Sequence, residues 1–370
     1  MSVSYGGDSI TFADGSVQSG GWIGLKNRII NGAMVFDQRN AGASVTVNST
    51  TQTFSVDRWW ASGQSTDGVF TMQQSSTAPS GFSNSTAITV TTADASIGTT
   101  QRYYFAQRIE GFNTADLGWG TAGASTVTLS FWVRSSITGT FGGFVYNSDA
   151  DYSYPFSYTI SSANTWEQKS VTIAGPTAGT WVGATNGFGM QIGWSLGTGT
   201  DRLGTSGAWT ASQKFGATGQ TNLIATNGAT FYITGVQLER GSTASSFEYR
   251  SYGTELALCQ RYYVHYSSAT NSVSYFATGF GYTTSASISV FQFPVPMRTS
   301  PSLSTSGTAS HYRWLNGGTF LTCSAVPSLD QSNPFTSDVI FTQSTTTVGF
   351  GGMIGANSTT AAYLGFSAEL

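Results

Sequence analysis

FEYRSYGTELALCQRYY, residues Phe247–Tyr263, is the stretch of this sequence that decides its fold. Before it, apolar and polar residues alternate in short runs typical of β-strands, and after it the same pattern resumes. Within it, Tyr252–Tyr262 has the pattern of a short helix, with its apolar side chains crowded on one side and Glu255 early, where the helix dipole favours a negative charge. The stretch therefore predicts a junction between two β modules.

Strand patterns dominate both sides of the junction, and they predict an all-β fold of two β-sandwich (jelly-roll-like) domains, in which few strand edges are left open. Ten candidate strands precede the junction: Arg28–Phe36, Phe54–Trp60, Val69–Gln73, Ala87–Thr92, Arg102–Ile109, Thr126–Arg134, Phe141–Tyr146, Glu167–Ile173, Phe188–Trp194 and Thr230–Leu238. Those after it are Ser272–Phe280, Ala286–Phe293, Arg313–Leu315, Val339–Thr342, Thr346–Ile354 and Ala361–Ala368.

The predicted organisation has four parts. Residues 1–26 form a short N-terminal arm for attachment or oligomerisation, too small to hold a core. Residues 27–246 form a jelly-roll domain, 247–263 the helical junction and 264–370 the C-terminal β-sandwich. In Thr126–Arg134, the apolar residues fall on one face and the polar ones, with one tryptophan, on the other, as expected of a strand with one buried side.

Charged residues make up only 9% of the 370, against about 25% in an average soluble domain, so we expect partner subunits to cover part of the surface. The net charge of −3, without a Lys/Arg-rich block, argues against nucleic acid as a partner. No apolar run approaches the roughly 20 residues of a membrane helix, and the first residues lack the pattern of a signal peptide. We expect a soluble protein made in a cytoplasm, without membrane insertion.

Few residues suggest catalysis or metal binding. Cys259 and Cys323 are expected to be buried, unpaired apolar residues, and His265 and His311 lack partners at metal-ligand spacing. There is no Gly-x-Ser-x-Gly elbow and no phosphate-binding glycine loop. The sequence therefore predicts neither a cofactor nor an enzyme.

Paired carboxylates are the exception, since a glycosidase needs only two, roughly 5 to 9 Å apart. Asp149 and Asp151, in the loop NSDADY, could also hold Ca²⁺ through oxygen ligands; the alternative is a solvated turn. They are the candidate metal ligands. The other carboxylate candidates are Glu110 with Asp116, and Glu239.

Aromatic side chains give the clearer functional signal, because sugar rings stack their C–H faces on Trp and Tyr while polar neighbours bind the hydroxyls. In the adjacent pair Trp59 and Trp60, the two side chains must point to opposite faces if they lie in a strand. The glycan-binding candidates, each weighed against a place in the core, are Trp132 with Arg134, Tyr104 with Arg102, Tyr152 and Tyr154 beside Asp151, and Trp194.

Five words of this sequence resemble a group of bacteriophage virion proteins, namely tail fibres and related appendage proteins. The words are NRIINGAMVFDQRNAG (Asn27–Gly42), SVDRWWA (Ser55–Ala61), ITGVQLERGSTASSFEYRSYGTELALCQRYY (Ile233–Tyr263), FPVPMRTSP (Phe293–Pro301) and YLGFSAEL (Tyr363–Leu370). The resemblance implies a first sandwich similar to carbohydrate-binding jelly rolls, which often carry a structural calcium, a terminal β-sandwich behind it, and assembly as a homotrimer.

Three functions remain open at this point. The first is a non-enzymatic virion protein, a trimeric tail fibre or receptor-binding protein that recognises a host-surface glycan and contacts other virion proteins through its N-terminal arm. The second is a capsid- or neck-associated fibre or decoration protein that binds only other virion proteins. The third is a polysaccharide depolymerase. Under the first two hypotheses, five residues of the junction are expected to be buried between the modules or along the trimer axis: Tyr252, Leu256, Leu258, Cys259 and Tyr262.

Overall fold

The computed structural model describes residues 26–63, 67–149 and 151–370, together with three short strands near the N-terminus. These are β1 (Ser4–Gly6), β2 (Ser9–Thr11) and β3 (Val17–Ser19), which pair antiparallel. Apart from these strands and Lys26, the predicted arm at 1–26 lies outside the described residues, and its role stays a prediction.

The first sandwich consists of two six-stranded antiparallel sheets. Its strands are β4 (Val45–Val47), β5 (Thr53–Phe54), β6 (Trp60–Gly63), β7 (Val69–Ser75), β8 (Ser85–Thr92), β9 (Arg102–Glu110), β10 (Val127–Ser135), β11 (Gly139–Asn147), β12 (Ser153–Ile160), β13 (Glu167–Ile173), β14 (Phe188–Thr198) and β17 (Thr230–Arg240). A short parallel pair, β15 (Leu203–Gly204) and β16 (Gly216–Ala217), lies in a loop.

Sheet 1 has the strand order β13-β10-β17-β8-β7-β4, and sheet 2 has the order β12-β11-β14-β9-β6-β5. The chain therefore crosses repeatedly between the sheets, as in a jelly roll. The core between them is apolar and rich in aromatic rings. Strand β10 follows the predicted alternation: Val127, Leu129, Phe131 and Val133 are fully buried in this core.

The junction helix α1 (Tyr252–Gln260) leads into the second sandwich. Its strands are β18 (Tyr263–Ser267), β19 (Tyr275–Thr283), β20 (Ala286–Gln292), β21 (Ser302–Thr305), β22 (Tyr312–Asn316), β23 (Thr319–Thr322), β24 (Ser328–Ser332), β25 (Thr336–Thr342), β26 (Gly351–Ala356) and β27 (Tyr363–Ser367). Sheet 3 has the order β18-β27-β21 and sheet 4 the order β23-β22-β26-β19-β20-β25-β24. A second apolar core lies between these two sheets.

Short 3₁₀ turns complete the described structure, at Gly111–Asn113, Ala115–Leu117, Thr200–Arg202, Leu223–Ala225 and Ala309–His311. No helix of the described residues is both long and apolar enough to cross a membrane. The predicted all-β fold of two sandwiches with a short helical junction is confirmed.

Two predicted strands of the first sandwich are wrong, and in the second sandwich Thr346–Ile354 is a strand only from Gly351 onward. Arg28–Phe36 is not a strand: Asn31 and Met34 have φ values of 57° and 58°, which turn the chain out of an extended path. The turn is stabilised by the Asn31 amide, which donates to the carbonyl oxygens of Phe36 and Asp57 at 2.9 and 3.0 Å. Phe54–Trp60 is split between β5 and β6 by a turn in which Arg58 has a φ of 71°.

Trp59 and Trp60 do point to opposite sides, as predicted. Trp59 lies in the core, stacked on Phe105 at 4.9 Å between ring centroids, and Trp60 lies on the outer face of sheet 2. Both are buried within the chain, because other side chains of the first sandwich cover Trp60 as well.

Candidate functional site

Five aromatic rings meet where several loops of the first sandwich come together; we name them the aromatic loop cluster. Trp209 is central: its ring is stacked on Tyr152 with centroids 5.5 Å apart and lies 5.2 Å from Tyr154. Trp181 is perpendicular to Trp209 at 5.7 Å, and Trp119 lies 4.8 Å from Trp181 and 5.5 Å from Trp209. The structure thus joins two of the predicted ligand residues, Tyr152 and Tyr154, to three tryptophans that sequence reasoning missed.

The three indole N–H groups hold the cluster in place. Each donates to a backbone carbonyl oxygen: Trp119 at 2.8 Å, Trp181 at 3.1 Å and Trp209 at 2.7 Å. Because their polar atoms are already bonded to the loops, the rings are fixed in orientation before any ligand arrives. Trp119 and Tyr154 are buried, whereas Tyr152, Trp181 and Trp209 are part-exposed, so the cluster has a buried base and an accessible edge.

Glycines allow this close packing. Gly120 has a φ of +85°, and a Cβ there would lie 2.8 Å from Cδ1 of Trp181. Gly179 has a φ of +89°, and a Cβ there would lie 3.0 Å from the ring of Tyr152. Each tryptophan of the cluster lies within two residues of a glycine with positive φ, so the available sequence signal was a Trp beside Gly in a loop, GWG, GTW and GAW.

Acidic and amide groups lie next to the exposed edge. The Asn147 amide donates to the Asp151 carboxylate at 2.6 Å and to the Thr180 carbonyl oxygen at 2.9 Å, which links Asp151 to the loop that carries Trp181. Asp149 and Asp151 are both exposed. Within residues 26–63, 67–149 and 151–370, no group of three or more His, Cys, Asp and Glu side chains is placed to hold a metal ion, and calcium at Asp149 and Asp151 stays a prediction.

A second aromatic surface lies on the outer face of sheet 1. Trp132 and Arg134 are part-exposed there, as predicted, and the Arg134 guanidinium carbon lies 5.0 Å from the centroid of the Tyr232 ring. Trp166 packs edge-on against Tyr232 at 6.3 Å. These rings are spread along the sheet rather than closed into a cluster, and they are distinct from the aromatic loop cluster.

Two of the predicted ligand sites are wrong. Trp194 is fully buried in the core, between Trp59 at 5.8 Å and Phe131 at 5.3 Å, where a sugar has no access. Tyr104 is on the outer face of sheet 2, but Phe215 folds over it at 5.1 Å and leaves it 6% exposed.

Arg102 belongs to the same covered face. Its guanidinium carbon lies 4.2 Å from the centroid of the Phe215 ring, and burial lowers the pKa of this arginine. Phe215 is in a loop without strand periodicity, so nothing in the sequence pattern indicated that it would cover this face. Arg102 with Tyr104 is therefore a structural contact rather than an open ligand site.

The other carboxylate candidates are bound by neighbouring side chains. Asp116 binds Arg28 through two hydrogen bonds of 2.7 and 2.6 Å. Glu239 is 4% exposed and accepts hydrogen bonds from Gln237 and Ser245. Glu110, 1% exposed, is bound by Arg261 and Tyr262 of the junction, so Glu110 and Asp116 have different partners and do not form the predicted pair.

The histidines have structural surroundings. The Nδ1 atom of His265 lies 2.8 Å from the Tyr263 hydroxyl, and its ring stacks on Tyr363 at 5.1 Å. Burial, followed by the charge of Arg39, lowers the pKa of His265 to about 4. The Nδ1 atom of His311 lies 3.0 Å from the Ser306 hydroxyl.

The junction residues lie where the two sandwiches meet. Cys259 and Tyr262 are fully buried and form a small apolar cluster with Ile30 and Phe36 of the first sandwich. Leu256 and Leu258 are part-buried against it. Tyr252 differs from the prediction for this chain: it is 68% exposed, with its ring 4.7 Å from Phe36, so burial of Tyr252 along a trimer axis stays a prediction.

Buried charges surround that cluster, and we call them the interface network. Glu369 forms ion pairs with Arg39 and Arg58, and the Arg298 guanidinium donates to the Glu369 carbonyl oxygen at 2.7 Å. Burial lowers the pKa of Arg58 to about 10. Since isolated buried charges are unfavourable, this network requires each partner to stay in place.

Glu110 completes the interface network on the side of the junction. It accepts hydrogen bonds from the Arg261 guanidinium at 2.5 and 3.0 Å and from the Tyr262 hydroxyl at 2.6 Å. Burial by itself would raise the pKa of Glu110, but these hydrogen bonds and the positive charge of Arg261 outweigh it and hold the pKa below its usual range.

All five sequence words that carry the resemblance contribute to this one interface. Asn27–Gly42 supplies Arg39 and the apolar residues Ile30 and Phe36. Ser55–Ala61 supplies Arg58, and Ile233–Tyr263 supplies Arg261 and Tyr262. Arg298 is in the proline-rich word and Glu369 in the last one. The words are far apart along the chain, yet they describe one contact surface between the sandwiches.

Comparison with known proteins gives only distant likenesses. No protein-family profile and no curated protein sequence matches the chain. Among solved structures, it is similar to the enzymatically active domain of tailspike protein 4 of bacteriophage CBA120, at 13% identity and a TM-score of 0.29, over 58% of this chain and 22% of that one.

Carbohydrate-binding modules give comparable values. A family 4 module is 18% identical, with a TM-score of 0.28 over 57% of this chain and 98% of that one. The family 11 module of a cellulosomal cellulase from Clostridium thermocellum is 11% identical, with a TM-score of 0.27 over 55% of this chain and 99% of that one. At TM-scores this low, the likenesses carry no argument about function, which rests below on the residues of this chain.

Proposed function

We propose that this protein is a bacteriophage virion protein, a homotrimeric tail fibre or receptor-binding protein, which recognises a host-surface glycan through the aromatic loop cluster. The observation that carries the proposal is the cluster itself: part-exposed Trp209, Trp181 and Tyr152 rings, fixed by backbone hydrogen bonds, beside exposed carboxylates. The resemblance of the five sequence words to phage appendage proteins supports the virion part of the proposal.

The cluster suits a sugar in shape and polarity. Trp181 and Trp209 are perpendicular, at 89°, so a pyranose stacked on one ring would meet the edge or face of the other. The C–H face of the sugar would replace water on the aromatic surface, while its hydroxyl groups would donate to Asp149 and Asp151. This is recognition by a preformed surface and requires no bond to be broken.

Binding without catalysis is part of the proposal. Glu110, Asp116 and Glu239 are occupied by ion pairs and hydrogen bonds, as described above, and Asp149 and Asp151 are exposed to solvent. A glycosidase would need one carboxyl group kept protonated by its surroundings and a second one opposite it. In a homotrimer, three weak sugar sites would act together through their high effective concentration.

Binding of the 370-residue chain to purified host-surface polysaccharide tests the proposal, with Trp209→Ala as the site variant and Trp166→Ala as the matched control. Both residues are part-exposed tryptophans of the first sandwich, but Trp166 is on the outer face of sheet 1. We expect Trp209→Ala to weaken binding at least about tenfold, the equivalent of one lost aromatic contact of roughly 1.4 kcal/mol, and Trp166→Ala to leave it unchanged.

Three outcomes would overturn parts of this proposal. Unchanged binding by Trp209→Ala, or a loss in Trp166→Ala instead, would remove the cluster as the glycan site. Release of reducing sugar from the polysaccharide would show that the protein is an enzyme. Antibody labelling on the head of the particle and not on its tail would favour the capsid- or neck-associated decoration protein.

A further inference from the structure

The outer face of sheet 4, in the second sandwich, is apolar where a solvent-facing sheet is normally polar. Strand alternation sends Trp314, Ile354 and Val339 into the core, and the register places a different apolar set on the opposite side. Paired residues on that side include Leu315 with Phe320, Leu315 with Met353, Phe280 with Ile288, and Ile288 with Ile340. We call this surface the outer apolar face; it consists of Tyr275, Phe280, Tyr282, Ile288, Val290, Leu315, Phe320, Ile340 and Met353.

Several of these side chains are half exposed to solvent. The exposed fractions are 43% for Tyr275, 46% for Phe280, 49% for Tyr282, 51% for Val290 and 50% for Phe320. An aromatic side chain buries roughly 150–250 Å² when covered, so these four rings alone offer about 400 Å². This area lies within the roughly 300–600 Å² of the largest apolar patch on a typical monomer, and it is about half of the roughly 800 Å² that each partner contributes to a stable interface. Val290 and the part-exposed Leu315, Ile340 and Met353 add to it, whereas Ile288, 7% exposed, adds little.

Charge is nearly absent from this sandwich. Residues 264–370 contain only five charged side chains: Arg298, Arg313, Asp330, Asp338 and Glu369. Arg298 and Glu369 are engaged in the interface network, and the Arg313 guanidinium carbon lies 4.1 Å from the centroid of the Phe320 ring. The register places two of these charges, Arg313 and Asp338, on the outer apolar face itself. They are of opposite sign, so the face has no net charge and an identical copy meets it without charge repulsion.

The outer apolar face is uneven in shape, which favours a specific fit to another surface. Tyr275 is paired with Gly355, and Phe280 with Gly351, so two of the exposed rings lie beside positions that have no side chain. A Cβ at Gly355 would lie only 3.0 Å from the Tyr275 ring, so this ring covers Gly355. A Cβ at Gly351 would meet only the Gly279 carbonyl oxygen, at 3.9 Å, so the surface is open beside Phe280 and can receive a side chain of another copy.

We propose that the outer apolar face is the surface through which copies of this chain contact one another. The expected number of copies, three, rests on the proposed function; the location of the contact rests on sheet 4 alone. Covering this face removes half-exposed aromatic rings from water, which is the main driving force for association of a largely apolar surface.

The test is the molar mass of the full chain in solution, measured by size-exclusion chromatography with light scattering. The variant is Phe280→Glu with Val290→Lys, which adds no net charge. Because Val290 is opposite Asp338 in the register, the lysine gains a cross-strand partner and the monomer is expected to fold. Phe112→Glu is the control, since Phe112 is 56% exposed but belongs to the first sandwich.

We expect the unchanged protein and Phe112→Glu to have the mass of three chains, and the double variant the mass of one, with an unaltered far-ultraviolet circular dichroism spectrum. The milder Phe280→Ser should dissociate at a higher protein concentration than the unchanged protein does, which covers the case in which the double variant fails to fold. A monomeric unchanged protein, or a double variant and a Phe280→Ser that both keep the full mass, would overturn the proposal.

The outcome is separable from that of the glycan proposal. If Trp209→Ala loses sugar binding and the double variant stays assembled, only the contact surface is wrong. If the double variant dissociates and the unchanged protein binds no sugar, only the glycan function is wrong. When both proposals hold, the dissociated variant should keep the affinity of a single site and lose the gain from multivalency.

Discussion

The guanidinium carbon of Arg58, in the first sandwich, lies 3.5 Å from the centroid of the ring of Tyr262, a residue of the junction. The Tyr262 hydroxyl in turn donates to Glu110 at 2.6 Å, back in the first sandwich. A single tyrosine is thus held on its face by a cation and at its hydroxyl by a carboxylate, both from the neighbouring sandwich. Burial raises the pKa of Tyr262 to about 12, so it stays a hydrogen-bond donor at neutral pH.

Arg58→Ala is expected to destabilise the protein strongly. The change removes the cation above Tyr262 and one partner of Glu369, and loss of one member of a buried ion pair costs roughly 3–5 kcal/mol. Chemical denaturation should show that decrease in the free energy of unfolding. Arg134→Ala, at a part-exposed arginine of sheet 1, should change it by less than about 0.5 kcal/mol; equal effects of the two variants would contradict the role of the interface network.

The two cysteines should report on each region separately. Cys259 and Cys323 are buried free thiols, and burial raises the pKa of Cys259 well above its usual value and that of Cys323 to about 12. A thiol reagent at pH 8 should therefore label neither in the native protein and both in denaturant. In Arg58→Ala, Cys259 should become reactive at a lower denaturant concentration than Cys323. Simultaneous exposure of both would mean that the interface does not open first.

Stability is expected to fall as the pH decreases from 6.5 to about 4, in part because of His265. The pKa of this histidine is lowered from 6.5 to about 4 by burial, so over that range the unfolded chain binds a proton that the folded one does not. The contribution is complete above pH 6.5 and is lost on acidification, by up to about 3 kcal/mol. In thermal denaturation, His265→Gln should show a shallower pH dependence; an identical slope would contradict this.

A pair of glycine variants separates ring placement from backbone strain. Gly120 and Gly219 have φ values of +85° and +82°, but a Cβ at Gly120 would press on Trp181 whereas one at Gly219 would meet nothing within 4 Å. Alanine at either position should cost roughly 1 kcal/mol in backbone strain. Only Gly120→Ala should also alter the near-ultraviolet circular dichroism of the tryptophans and weaken glycan binding. If both variants keep the indole signal, the glycine does not position the ring.

Much of the fold could be predicted from the sequence, because strands and helices give local, periodic patterns of apolar residues. Thr126–Arg134 was assigned its correct inner and outer faces, and Tyr252–Tyr262 differs from the observed helix only at its end. The turn at Asn31 could not be predicted in the same way, because its side chain closes it through contacts with Asp57, far along the chain. Apolar alternation resembles a strand whether or not the backbone turns.

The candidate site was harder to predict than the fold. Alternation places Tyr104 on the outer side of its sheet, but it cannot show that Phe215, over a hundred residues later, covers that side. Trp119, Trp181 and Trp209 lie in loops without periodicity, and only their spatial convergence makes them a site. Tyr152 and Tyr154 were identified because they lie next to an acidic turn, which is information within a few residues.

The interface network has a consequence for exchanging parts between related proteins. Glu369 lies in the second sandwich, and its ion-pair partners, Arg39 and Arg58, lie in the first. Arg298, also in the second sandwich, donates to the Glu369 carbonyl oxygen. A chimaera cut at the junction helix would therefore inherit half of each buried ion pair. A recombinant chain with a new terminal sandwich should fold only if both partners of each ion pair are present. Exchanges that keep the residues of all five sequence words should therefore yield far more folded proteins than exchanges that alter any of them.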